Sequence, residues 1–184
     1  MKIIAFTGAG ISKQSNIPTF LEQPEVRDKL YRSYASSHPK DYNLTIKQMK
    51  EAMDKAEPND AHIALAEYKI PIITMNIDGL HKKAGSNALE IHGTMPDDDE
   101  LDIAYSLYNK PVLYGDSAPL YNEAIRMVES LEYGSYFIVI GCSYYTSISV
   151  ILRDIAKARG AHIIEIQEDA ASNVRKLLED IIVK

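Results

Sequence analysis

The apolar positions of this chain fall into short continuous runs separated by stretches with helical spacing. Ile3 to Phe6, Ile70 to Met75, Tyr136 to Ile140 and His162 to Ile166 predict four strong strands. The first and third are uninterrupted apolar runs, which suit strands covered on both faces. Pro71 stands near the start of its strand, where a missing backbone donor is tolerated. Ala88 to Ile91 and Pro111 to Tyr114 predict two shorter strands. Helical spacing covers Glu25 to Ser36, with Val26, Leu30 and Tyr34 at i, i+4 and i+8. It returns over Leu44 to Ala56, with Met49 and Met53 on one face, and from Pro58 or Asn59 to Tyr68. Short helical character at Asp78 to Ala84 is followed by helices over Leu101 to Tyr108, Pro119 to Leu131, Ser147 to Arg159 and Asp169 to Val183. Strands alternating with helices imply parallel pairing and right-handed crossovers. The expected class is α/β, with one open doubly wound parallel sheet in a single domain spanning 1–184.

In such a sheet ligands bind outside the carboxyl ends of the strands. The residues that follow the strong strands are Gly8-Ala9-Gly10-Ile11-Ser12, Asn76-Ile77-Asp78-Gly79-Leu80-His81, Gly141-Cys142-Ser143 and Gln167-Glu168. The short strand at Leu89 delivers His92-Gly93-Thr94 to the same edge. Small residues let a turn approach a ligand closely, and a helix starting there points unpaired N–H groups at an anion. A phosphate-bearing ligand is the first expectation. Gly-x-Gly alone also fits an ordinary βα turn. Asn and Asp at strand ends often serve only as turn formers, and a lone histidine there is more often structural.

Composition narrows the classes. The net charge is −6, and no basic cluster exceeds Lys82-Lys83. That argues against nucleic acid, which needs a concentrated basic surface. The single cysteine, Cys142, excludes an intrachain disulfide and any multi-cysteine zinc or iron–sulfur site. No apolar run approaches the roughly 18 to 20 residues of a membrane span, and the chain starts directly in a strand, without a signal peptide. A cytoplasmic location is the expectation. The run Asp97 to Asp102, five acids in six residues, reads as a solvated helix start.

Six ordered blocks resemble the sirtuins, the NAD-dependent protein deacylases. Gly8-Ala9-Gly10-Ile11-Ser12 with Ile17-Pro18-Thr19-Phe20 is similar to the family's GAGxS…GIPxFR. Thr74 to His81, followed by Ala84-Gly85-Ser86, is similar to TQNIDxLH…AGS, and Glu90-Ile91-His92-Gly93 to ELHG. Pro58-Asn59-Asp60-Ala61-His62 resembles PNxAH, Val112 to Asp116 resembles VxFGE, and Gly141-Cys142-Ser143 resembles GTS.

The resemblance implies a Rossmann-like sheet with NAD+ as co-substrate across the strand ends. Gly8, Ala9, Gly10 and Ser12 would cradle its phosphates and Phe20 would cover the nicotinamide ribose. Asn76, Ile77 and Asp78 would hold the ribose and the nicotinamide carboxamide. Gly141, Cys142, Ser143 and Gln167 would meet the adenosine half. His92 would be the general base, taking a proton from a ribose hydroxyl, a task that suits a group titrating near working pH. The implied catalytic set is therefore His92, Asn76 and Asp78. An acyl-lysine peptide would add as a strand along Gly115 and Asp116, with His92 facing it. His62 and His81 match supporting positions, and Cys142 reads as a small buried residue rather than a nucleophile.

The chain also departs from the pattern. The family's zinc ribbon is absent, since only seventeen residues, Thr94 to Lys110, separate Gly93 from Pro111 and none is cysteine. No zinc is expected, and 94–110 would be a reduced remnant of the small lobe. Leu21 replaces the Arg after GIPxF, Met75 the Gln of TQN, and Gln167 the family's late Asn. Asn16 replaces a glycine, which is tolerable at positive φ. Three readings follow: a minimal lysine deacylase, an NAD+ glycohydrolase or ADP-ribosyltransferase using the same pocket, and a non-catalytic NAD or ADP-ribose binding module.

Overall fold

A computed structural model describes residues 1–20 and 22–182; the Leu21 substitution and the expected helix end at Val183 lie outside them. Strand β1 (Ile3–Thr7) is fully buried and lies at the centre of a five-stranded parallel sheet. β2 (Ile72–Thr74) and β3 (Leu89–Glu90) extend the sheet on one side, and β4 (Tyr136–Ile140) and β5 (His162–Ile166) on the other. The order β3-β2-β1-β4-β5 reverses direction at β1, with Thr7 level with Thr74 on one side and Ile140 on the other. A reversal of this kind opens a crevice at the strands' carboxyl ends.

Alternation along each strand feeds two cores. Ile3, Ala5, Ile138 and Ile140 face α4 (Asp60–Glu67) and α8 (Ala170–Ile182), where Ala61, Leu65, Val174 and Leu178 are buried. Ile4, Phe6, Phe137 and Val139 face α6 (Tyr121–Glu129) and α7 (Ser147–Ala158), against Ala124, Val128, Ile148 and Leu152. Phe6 and Phe137 stack with centroids 6.1 Å apart. Each fully buried side chain of this size contributes about 1.5–3 kcal/mol relative to exposure. Among the described residues no helix is long and apolar enough to cross a membrane.

A third apolar cluster stands away from the sheet. It joins Leu30, Ala35, Tyr42, Ile46, Ala104 and Leu113. Its walls are α2 (Arg32–Ser37), α3 (Pro39–Lys55) and a 3₁₀ helix over Asp98–Ser106. The 94–110 stretch, through its 3₁₀ helix, is thus one wall of a small helical lobe. The acidic run does start a helix: Asp97 caps it, Glu100 reaches back to the Asp97 N–H at 2.9 Å, and Lys110 pairs with both.

The single helix expected over Glu25 to Ser36 is broken into α1 (Pro24–Arg27) and α2. Between them the chain turns at Asp28 and Lys29 and is extended at Tyr31, where Tyr114 N–H donates to the Leu30 carbonyl and Arg32 N–H to the Tyr114 carbonyl, each at 2.9 Å. This one bridge is also all that forms of the strand expected at Pro111 to Tyr114. The helix expected from Leu44 starts five residues earlier, at Pro39, whose fixed φ and missing N–H suit a first helical position.

The turn after β1 packs backbone to backbone on the turn after β4. A Cβ at Gly10 would lie 2.5 Å from Gly141 Cα, and one at Gly141 would lie 2.4 Å from the Ile11 nitrogen. Gly10 N–H donates to the Gly141 carbonyl at 3.0 Å across this contact. Since the obstructing atoms are main chain, Gly10→Ala should cost about 1–3 kcal/mol or more. Urea unfolding of the variant against the parent protein measures the loss; unchanged midpoints would refute the contact.

Candidate active site

A cleft of about 770 Å³ lies between the small lobe and the carboxyl ends of the strands, within the roughly 300–1,000 Å³ usual for ligand sites. Ala9, Gly10, Ser12, Phe20, Asn76, Ile77, Asp78, His92, Gly115, Asp116, Gly141, Ser143 and Gln167 all line it. The fold therefore gathers thirteen of the fifteen residues singled out from the sequence onto one surface. Gly8 and Cys142 are not on that wall. They are buried beneath it, where the Cys142 Sγ meets the Phe6 carbonyl at 3.4 Å. Burial pushes the Cys142 thiol well above its ordinary value, so it supplies no thiolate.

The turn offers fewer free amides than the sequence suggests. The N–H groups of Gly8, Gly10 and Ile11 already donate to Ile140, Gly141 and Gly8 carbonyls. The segment is a 3₁₀ helix over Ala9–Ser15, closed by Asn16 at φ 63°, the left-handed conformation its replacement of glycine requires. What this helix brings to the cleft is the buried Ser12 hydroxyl.

Ser12 is the hub of a polar cluster. Its Oγ donates to Asp78 Oδ2 at 2.6 Å and accepts from Asn76 Nδ2 at 3.3 Å, while Asn76 also donates to the Gly8 carbonyl at 3.0 Å. Asp78 uses its other oxygen to accept the Leu80 N–H at 3.0 Å, fixing the start of α5 (Leu80–Lys83). The PNxAH block reaches the same hub through a helix cap. Asn59 accepts the Ala61 N–H, and His62 Nδ1 accepts the Asn59 N–H at 3.3 Å. A neutral His62 then carries its proton on Nε2, which faces Ser12 Oγ at 3.4 Å. Asn59 Nδ2 in turn donates to the Ile11 carbonyl and Ser15 Oγ, tying the cap to the 3₁₀ helix.

Burial pushes His62 down to about 4, with Asp78 opposing the shift. His81 lies beside it, ring centroids 5.0 Å apart, with Nε2 on Thr7 Oγ1 at 2.8 Å. Burial and the neighbouring His62 push His81 down to about 3. Its Nδ1 has no partner among the described residues, so a second proton there would be uncompensated.

His92 leaves the end of β3 at the cleft wall. Its carbonyl accepts the Val112 N–H at 2.9 Å, and Gly93 (φ 78°) could not carry a Cβ, which would fall 2.1 Å from the Asn109 oxygen. The backbone here is therefore pinned on both sides. Burial lowers the imidazole's pKa below its ordinary value, against a backbone hydrogen bond to Met75. A neutral ring at working pH can accept a proton. Its Nε2 lies 2.8 Å from the Tyr121 hydroxyl.

Sequence reasoning missed several groups. Arg32 closes a bidentate pair on Asp116 at 2.8 and 2.6 Å, and also donates to the Tyr105 and Leu107 carbonyls. Asp116 thus fastens the lobe, and Arg32 lowers its pKa; Gly115 remains the exposed edge residue. At the other end Arg153 donates to Glu165 and the Cys142 carbonyl, beside Gln167 Nε2 on that same carbonyl at 3.1 Å. Met75 lines the cleft and accepts from Thr146 Oγ1 at 3.4 Å. A lone Arg or Tyr carries no spacing signal that marks it in advance, whereas Met75 is marked by its place in the TQN-like block.

Two outcomes follow from these contacts. Asn76→Ala should cost about 0.5–1.5 kcal/mol per lost bond by removing its donations to Ser12 Oγ and to the buried Gly8 carbonyl, which keeps the Ile11 N–H, read as a lowered unfolding free energy. The two depressed histidines contribute stability that is complete above their unfolded value near 6.5. It erodes as the pH falls below that and is lost on passing the folded values of about 4 and 3. Each ring adds a slope of at most about 1.4 kcal/mol per pH unit. Melting at pH 7 and 4.5 should show the drop, and His81→Gln should flatten it.

The Sir2 family model matches residues 8–99. NAD-dependent protein deacylase 2 of Archaeoglobus fulgidus is 33% identical over 202 residues, covering 88% of this chain and 78% of that protein. The alignment is longer than the 184-residue chain itself, so the relative carries residues with no counterpart here. NAD-dependent protein deacetylase of Saccharolobus solfataricus is 44% identical over 104 residues, 50% of this chain and 42% of that protein. Among solved structures, a mutant Sir2 homologue in complex with ADP-ribose superposes with a TM-score of 0.81 at 25% identity, over 97% of this chain and 90% of that one. The ordered blocks, the sheet order and the cleft they line converge on one conclusion: the chain belongs to the Sir2 family.

Proposed function

We propose that this chain is an NAD+-dependent protein-lysine deacylase, a single domain with a reduced small lobe that works without structural zinc. The observation that carries the reading is the meeting of His92 with the Ser12–Asp78–Asn76 cluster on one cleft at the strand ends. The relatives' names, which specify NAD-dependent deacylation, support it.

In this reading NAD+ supplies an activated nicotinamide–ribose bond. Ala9, Gly10 and Ser12 border its phosphates, and Phe20 screens the reacting ribose from water. Asn76, Asp78 and the Ile77 backbone orient the ribose and the carboxamide, so that their donors and acceptors face charge developing at the ribose. Gly141, Ser143 and Gln167 meet the adenosine half, with Cys142 as packing below. His92, neutral and half-buried, takes a proton from a ribose hydroxyl. The acyl-lysine peptide runs along Gly115, and Asp116 acts on that edge through Arg32. The chain's net negative charge does not favour nucleic acid as a partner.

One feature favours a second reading, NAD+ glycohydrolase or ADP-ribosyltransferase. Only seventeen residues connect Gly93 to Pro111, so the peptide edge is short and water or another nucleophile could reach the ribose. Nicotinamide release from NAD+, measured with and without acyl-lysine peptides, separates the two. Release only with peptide, accompanied by acyl-ADP-ribose and reduced about 10²-fold or more in His92→Ala, is the expected result. Release without peptide moves the chain to the glycohydrolase class. Binding of NAD+ or ADP-ribose without release would leave a binding module and overturn both.

A further inference from the structure

The working nitrogen of His92 does not face open cleft. Tyr121 Oη sits 2.8 Å from His92 Nε2, with the two rings 5.8 Å apart at 45°. The Met75 backbone lies close enough to the ring to favour its protonated form. With the neutral ring's proton on Nδ1, Nε2 is its acceptor. That nitrogen has one lone pair, and the Tyr121 hydroxyl is placed to donate to it. Tyr121 opens α6, and its ring packs against the second core, beside buried Ala124 and Val128. The phenol is therefore held in place, yet it still lines the cleft. Burial, with Tyr114 adding to it, keeps the phenol's pKa above its ordinary value, so it holds its proton until that proton is replaced.

We propose that Tyr121 is a proton relay between the ribose hydroxyl of the co-substrate and His92. This rests on the deacylase reading given above. The hydroxyl O–H bond breaks as its proton passes to Tyr121 Oη, and the Tyr121 proton passes to His92 Nε2. The phenol is regenerated, the imidazole becomes imidazolium, and the electron pair left on the ribose oxygen is free to attack the acyl carbon. No redox change occurs and no further reactant is required.

Tyr121→Phe keeps the ring packing and removes only the hydroxyl. It should lower acyl-ADP-ribose formation about 10²-fold and alter the pH profile of the rate. With ¹⁵N-labelled histidine, the His92 Nε2 resonance should shift in the ligand-free variant, and its titration should move up towards an ordinary imidazole, since a donor to the neutral ring is lost. If the unmutated protein turns over NAD+ with peptide and Tyr121→Phe matches it in rate and pH profile, the relay is overturned alone. A shifted resonance with an unchanged rate also overturns it, leaving Tyr121 a positioning contact. No NAD+ turnover by the unmutated protein would overturn the deacylase reading and the relay together.

Discussion

Everything in the cleft depends on how closely two turns approach. The loop after β1 and the loop after β4 touch through Gly10 and Gly141, main chain against main chain. That contact is possible because neither residue carries a Cβ in the way. It sets where the 3₁₀ helix begins, and so where the Ser12 hydroxyl stands relative to Asp78 and Asn76. A Gly-x-Gly turn is usually read as a phosphate cradle. Here its glycines do a packing job, and the Gly8, Gly10 and Ile11 amides are already engaged by backbone carbonyls.

The same double duty recurs around the site. Asn59 and His62 cap α4 and at the same time supply the ring behind Ser12. Asp116 edges the cleft while its carboxylate is held by Arg32. Such residues hold the fold and shape the cleft together, so removing any of them disturbs both at once, and only conservative changes such as loss of a single hydroxyl separate the two.

Much of the fold was legible in the sequence because the signals were local. The apolar runs at Ile3 and Tyr136 could only be buried strands, and the loops after them had to meet at one edge. The break between Arg27 and Arg32 was not legible. Val26, Leu30 and Tyr34 keep a perfect helical spacing, but a bridge to Tyr114, more than eighty residues away, takes the Leu30 and Arg32 backbone groups. The core of the small lobe was not legible for the same reason: Ile46, Ala104 and Leu113 become a core only when distant segments meet. Of the site, the strand-end residues were readable from their positions. Tyr121 and Arg32 were not, since their roles lie in a partner brought by the fold.

The lobe's construction has a kinetic side. Arg32 and Asp116, its clamp, are 84 residues apart, and its apolar cluster draws on segments on either side of β2 and β3. Closing so long a loop costs entropy that local contacts cannot offset in advance. The lobe shares no strand pairing with the five-stranded sheet and has only its own Tyr31–Tyr114 bridge, so its opening leaves the sheet's ladders intact. Its opening and closing would be a motion of the cleft's far wall. A molecule that touches both walls would bind the closed form preferentially, so occupancy of the cleft and order in the lobe would rise and fall together.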